Sequence, residues 1–87
     1  MSSLFSTFMK TAMESNKAIV VIRDKTIRCS VNLNLSSAEL DEGDLILGDD
    51  DQQVIITNVE DCSIEELGDD FMLSNEKDNF LAIITLY

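Results

Sequence analysis

Between residues 26 and 35 apolar and polar side chains alternate without a break, a period that among regular structures only a half-buried strand has. Ile27, Cys29, Val31, Leu33 and Leu35 point one way, and Arg28, Ser30, Asn32 and Asn34 point the other. A strand with one apolar face needs neighbouring strands and a second layer to cover that face. An antiparallel sheet is therefore the framework into which every other segment must fit. Cys29 belongs to the apolar set and reads as a small buried hydrophobe.

The segments on either side supply the remaining elements. Leu4, Phe5, Phe8, Met9, Ala12 and Met13 recur as one stripe of a helix, predicted over residues 3–15. Ser2 or Ser3 can cap its start, and Asn16 tolerates the left-handed conformation that often ends a helix. A β-branched run predicts a strand over 18–23, with Asp24 and Lys25 making a tight turn into the alternating strand over 26–35. Ser36 and Glu39 have capping-box spacing, which predicts one helical turn near 37–41. Gly43 lets the chain reverse. Strands over 44–48 and 53–60 then form a hairpin with an acidic tip. Ser63 and Glu66 repeat the capping-box spacing, and Gly68 closes a short turn. Phe71, Met72 and Leu73 make a short strand or a buried plug. Residues 80–87 are a near-continuous apolar strand, expected to be covered on both faces. The fold class expected is α+β, an N-terminal helix packed on a small antiparallel β-barrel or sandwich of five to six strands.

Eighty-seven residues make one domain, 1–87, able to bury only ~60% of its unfolded surface around one core. With 45% apolar residues and a mean hydropathy of +0.06, there is enough apolar material for that core, which sets the chain apart from a disordered acidic tail. The net charge is −11 and unevenly placed. Residues 1–28 carry five basic side chains against two acids, and residues 29–87 carry Lys77 alone against fifteen. Such a field repels phosphate backbones and anionic lipid, so direct nucleic-acid and membrane binding are disfavoured and charged partners should be basic proteins. The same acids also serve solubility. The first residues lack the basic start and apolar block of a signal peptide, and no stretch approaches the ~20 apolar residues of a membrane span. A cytoplasmic, reduced location is expected, with the pairing of Cys29 and Cys62 left open.

The chemistry is bounded by absences. There is no histidine, the commonest general base and metal ligand. The two cysteines are isolated, and the three glycines, Gly43, Gly48 and Gly68, are too scattered for a phosphate loop. Asp49, Asp51, Gln53, Thr57 and Glu60 match calcium-loop spacing, but Val54 stands where that loop needs glycine. No catalytic residue, cofactor or metal is therefore expected, and the chain reads as a non-enzyme. What is left is an acidic surface built from Asp41, Glu42, Asp44, Asp49, Asp50, Asp51, Asp69 and Asp70. It is either a docking face for a basic partner or a set of solvated turns, since turns favour Asp in any case.

The stretch Gly43-Asp44-Leu45-Ile46-Leu47, a short acidic turn, then Gln53-Val54-Ile55-Ile56-Thr57-Asn58-Val59 resembles the hairpin of small tailed-phage head–tail joining proteins of the lambda type. The order of elements is also similar, although here the stretch between Leu35 and Gly43 is compressed. The resemblance implies a virion assembly protein without enzymatic activity. Such a protein forms a homo-oligomeric ring between portal and tail and is found in the host cytoplasm or the virion. Two rival expectations come from other classes: an acidic mimic of DNA that inhibits a host DNA-binding protein, and a small cytoplasmic regulatory interaction domain.

Overall fold

The computed structural model describes residues 3–87. Helix α1 spans Ser3–Glu14 and is followed by eight strands among the described residues. These are β1 Lys17–Arg23, β2 Arg28–Asn34, β3 Ser37–Asp41, β4 Asp44–Gly48, β5 Gln53–Ile56, β6 Ser63–Leu67, β7 Asp70–Asn75 and β8 Phe80–Leu86, with a 3-10 turn at Val59–Asp61. They form two antiparallel sheets, one of five strands in the order β2-β1-β8-β7-β6 and one of three in the order β3-β4-β5. The fold is α+β as expected, but eight strands replace five to six. No closed barrel forms, because β2 and β6 remain as free edges of the larger sheet.

One core joins everything. Phe5 and Phe8 of α1 meet Ala18 and Val20 of β1, Leu33 of β2, Leu45 and Leu47 of β4, Val54 and Ile56 of β5, Phe71 and Leu73 of β7, and Ala82 and Ile84 of β8. Phe8 is fully buried and packs edge-on against Phe71, with ring centroids 5.1 Å apart. The helix and the three-stranded sheet thus cover one face of the five-stranded sheet. The sequence stripe of α1 splits accordingly: Phe5, Phe8 and Ala12 are buried, whereas Met13 is 73% exposed. The cap assigned to Ser2 or Ser3 lies outside the described residues and side chains. Asn16 is not left-handed. Its N–H donates to the Tyr87 carbonyl at 2.9 Å, and its own carbonyl accepts from Leu35 N–H at 2.8 Å, so it ties the ends of β2 and β8 together.

Five local expectations are corrected. Residues 37–41 are strand β3, not a helical turn, and residues 63–67 are strand β6. In both, ladder pairing to the next strand satisfies the backbone groups that a capping box would have served. The strand expected over 53–60 stops at Ile56, because Asn58 turns left-handed (φ 53°) and sends Val59 into the core, its N–H bonded to the Gly43 carbonyl at 2.8 Å. Cys29 is exposed rather than buried. The apolar side of β2 is deeply covered only at its C-terminal end, with Leu33 buried, Val31 half-buried and Ile27 54% exposed. Finally, β8 is covered on one face only: Ala82 and Ile84 are buried, while Leu81, Ile83 and Thr85 are half-buried.

The turns explain the register. Glu42 and Gly43, both at positive φ, form a two-residue primed turn between β3 and β4. Gly68 at φ 62° and Asp69 do the same between β6 and β7. Gly48, at φ 145°, is the position least able to take a side chain, since a Cβ there would overlap the carbonyl oxygen of Gln52. Gly48→Ala should therefore cost about 1–3 kcal/mol or more, whereas Gly68→Ala, in open space, carries only its backbone strain. Phe8→Ala should cost about 3–5 kcal/mol and Met13→Ala at most about 0.5 kcal/mol. Urea unfolding of the four variants checks this ranking, and equal losses for Phe8→Ala and Met13→Ala would contradict the core assignment.

Candidate functional site

The acidic residues sit where the turns put them. Asp41 and Asp44 are cross-strand partners flanking Glu42 and Gly43. Asp44 is partly structural, accepting from Asn58 N–H at 3.3 Å. Asp49, Asp50 and Asp51 lie in the β4–β5 loop, at the other end of the same strand β4, so the length of that strand separates the two groups. Asp69 and Asp70 belong to the β6–β7 turn in the other sheet. The predicted acidic residues thus belong to three turns, two of them at opposite ends of β4 and the third in the other sheet, and no cluster of three or more potential metal ligands occurs among the described residues.

Two of the acids have a clear local task. Asp24 accepts from Thr26 and Ile27 N–H, both at 2.8 Å, and Asp49 accepts from Asp51 and Gln52 N–H, both at 2.9 Å. The same four-residue loop is built twice, each with its leading Asp satisfying the two N–H groups that the reversal frees. These bonds favour the ionised form and hold both carboxyls below their ordinary value of 3.8. Cys62 is half-buried, and burial first, then the charges of Asp61 and Asp78, push its thiol up. It stands on a cleft of about 290 Å³ between the two sheets, lined also by Ile22, Ile56 and Phe80. Asp78 lines the same cleft and opposes thiolate formation, so the thiol is held away from its nucleophilic form. Neither cysteine is in a disulfide.

The feature that the sequence reading missed is the uncovered face of the five-stranded sheet. Side chains alternate along each strand, so the partners in register define which residues share that face. One cross-sheet row runs Ser30, Val21, Ile83, Met72, Glu65. The row on one side is Asn32, Ile19, Thr85, Asp70, Leu67, and on the other Arg28, Arg23, Leu81, Ser74, Ser63. Beyond Thr85, Tyr87 exchanges both backbone bonds with Lys17 at 2.8 and 3.0 Å, which places these two on the same face. The centre is apolar: Ile19, Val21, Leu81, Ile83 and Met72, with Val21 40% and Tyr87 57% exposed. The flanks differ in sign. Lys17, Arg23 and Arg28 lie along β1 and β2, and Glu65 and Asp70 along β6 and β7. Arg23 and Arg28 are direct cross-strand neighbours, a like-charge pair that costs stability in the isolated chain.

The apolar character of β1, β7 and β8 was visible in the sequence. Which side of each strand stays open depended on the strand order, which no local pattern carries. Among the described residues no helix is long and apolar enough to cross a membrane. No family model matches the chain, and neither the curated proteins nor the solved structures hold a match to it.

Two outcomes are expected from this geometry. Because the folded carboxyl of Asp49 is depressed, its contribution to stability is fully present above the ordinary value of 3.8 and is lost as pH falls through the folded value. The urea midpoint of Asp49→Ala should therefore lie below wild type by a constant gap near neutral pH, and the gap should close only in acid below 3.8. A gap that persists unchanged into strong acid would show that the charge is irrelevant to the turn. Alkylation by iodoacetamide near pH 8, followed by peptide mass spectrometry, should modify exposed Cys29 before Cys62. The reverse order would contradict the assigned surroundings of Cys62.

Proposed function

We propose that this chain is a non-enzymatic assembly protein that works through protein–protein contacts, of the head–tail joining type found in tailed phages. The observation that carries the contact role is the open sheet face, an apolar centre between flanks of opposite charge. A contiguous apolar area rimmed by polar groups is the usual mark of a partner surface, because water leaves it at a gain when a complementary surface arrives. The head–tail joining assignment rests on the resemblance of residues 43–59, here the hairpin of β4 and β5. The absence of histidine and of a phosphate loop supports a role without chemistry.

The rival role, mimicry of DNA, asks for carboxylates spaced along one face like a phosphate lattice. The acids of β3, β4 and their loops stand at opposite strand ends, and Asp49 is engaged with its own loop. The assembly reading therefore has the stronger support.

In lysates of cells that make the protein, it should co-sediment with capsid-sized or tail-sized particles and stay with them as salt is raised. Val21→Asp, which places a charge at the centre of the open face, should release it. Recovery of the wild-type chain only in the low-mass soluble fraction, with particles complete without it, would overturn the assignment.

A further inference from the structure

We infer that the open face of the five-stranded sheet is covered by a second copy of the same chain, packed face to face about a two-fold axis that runs along the strands. The inference builds on the reading of this face as the contact surface and names its occupant.

The charge pattern selects both the partner and the axis. Two sheets stacked face to face can be related by a two-fold axis in the plane between them, lying either along the strands or across them. With the axis across the strands, β2 lies over β2 of the partner and β6 over β6. Arg23, Arg28 and Lys17 then face their own kind, as do Glu65 and Asp70. With the axis along the strands, running midway between the two copies of the central strand β8, the order β2-β1-β8-β7-β6 is read in reverse by the partner. The basic strands β2 and β1 then lie over the acidic strands β6 and β7, and the arrangement occurs twice. Arg23 and Arg28 approach Glu65 of the second copy, and Lys17 approaches Asp70, each within reach of a long side chain across sheets ~10 Å apart.

The apolar rows fall into place under the same operation. Ile83 meets its own equivalent at the axis, and Val21 of each copy lies over Met72 of the other, since these residues share one cross-sheet row. The like-charge neighbours Arg23 and Arg28 gain carboxylate partners that their own sheet does not place beside them. Five strands ~4.8 Å apart, of seven, seven, seven, six and five residues at ~3.3 Å each, give a face of roughly 500 Å² per copy, or about 1,000 Å² for the pair. That reaches the ~1,000 Å² needed for a specific contact, at the weak end of the range. A two-fold contact closes on itself, so it makes a dimer. The ring implied by the resemblance would need a further surface.

Sedimentation velocity of the full chain over a dilution series from millimolar to low micromolar should show a reversible dimer. Arg23→Glu with Arg28→Glu, and separately Glu65→Lys, should each weaken self-association by roughly tenfold or more. Far-UV circular dichroism establishes that each variant is folded. Mixed in equal amounts, the two variants should form a heterodimer at least as tight as wild type, because each supplies the charges that the other now needs. As an independent measurement, Thr85→Cys with Cys29→Ser and Cys62→Ser, which leaves a single thiol on β8 at the axis, should cross-link to itself through a short bis-maleimide. A monomeric wild type throughout the series, reversal variants that dimerise like wild type, a mixture that gives no heterodimer, or no cross-link through the introduced thiol would each overturn the inference. The assembly role fails separately. A dimer that never joins particles refutes the role and leaves the dimer standing, whereas a monomer that joins them refutes the dimer alone.

Discussion

The pairing of β1 with β8 is the interaction on which the rest depends. It joins residues 17–23 to residues 80–86 in six registered pairs, from Ala18 with Leu86 to Arg23 with Leu81. On the core side it sets Val20 against Ile84 and Ala18 and Ile22 beside Leu86 and Ala82, with Val20, Ala18, Ala82 and Ile84 almost fully buried. Without it, the hairpins β1–β2 and β6–β7–β8 are separate ribbons, neither wide enough to hold the helix and the small sheet on one face. Its partners lie 58 to 68 residues apart in the sequence, so the loop-closure cost is met before most of the burial is gained. Slow, all-or-none folding is what such a topology favours.

The same pairing makes the two faces of the five-stranded sheet unlike. Once β8 is central, the β-branched residues of β1 and β8 divide between two faces. One half lines the core, and the other half has nothing above it. The charges on the open face divide along the same sheet, because Lys17 and Arg23 lie on β1 and Arg28 starts β2, whereas Glu65 lies on β6 and Asp70 on β7. A separation of sign across the five-stranded sheet is thus superposed on the net charge of −11, and Asp49 closes its own turn.

Much of the secondary structure was legible. The stripe of Phe5, Phe8 and Ala12 fits α1, and the alternation over 26–35 fits β2 in every side-chain direction. The two capping-box spacings misled, and the reason is physical. Ser36 and Glu39, or Ser63 and Glu66, can satisfy helix-start N–H groups only if the following residues carry a helical period. Ala38 and Leu40, and likewise Ile64 beside Leu67, lead instead into two-residue primed turns at Glu42–Gly43 and Gly68–Asp69. Those dipeptides were the available signal for a hairpin, and local capping lost to a ladder of pairs with buried Leu45, Leu47, Phe71 and Leu73. The candidate site was less legible. The acids were found, but their grouping depends on which strand ends lie together, and Asp49 proved to sit far along β4 from Asp44.

By itself the sequence determined the α+β class, the position of the helix, the antiparallel habit of the strands, the sign of the charge on each part of the chain, and the lack of histidine chemistry. These follow from periodicity and residue type, which act over a few neighbours. The tertiary structure alone decided that β8 is central, that Cys29 is exposed, that the two acidic turns of the three-stranded sheet lie at opposite ends of β4, and that one apolar sheet face is open with its charges divided. Those properties depend on which strands become neighbours and how far the covering layer reaches. Burial is a relation between distant segments, and a local pattern can require a cover for an apolar side chain without saying which face will receive it.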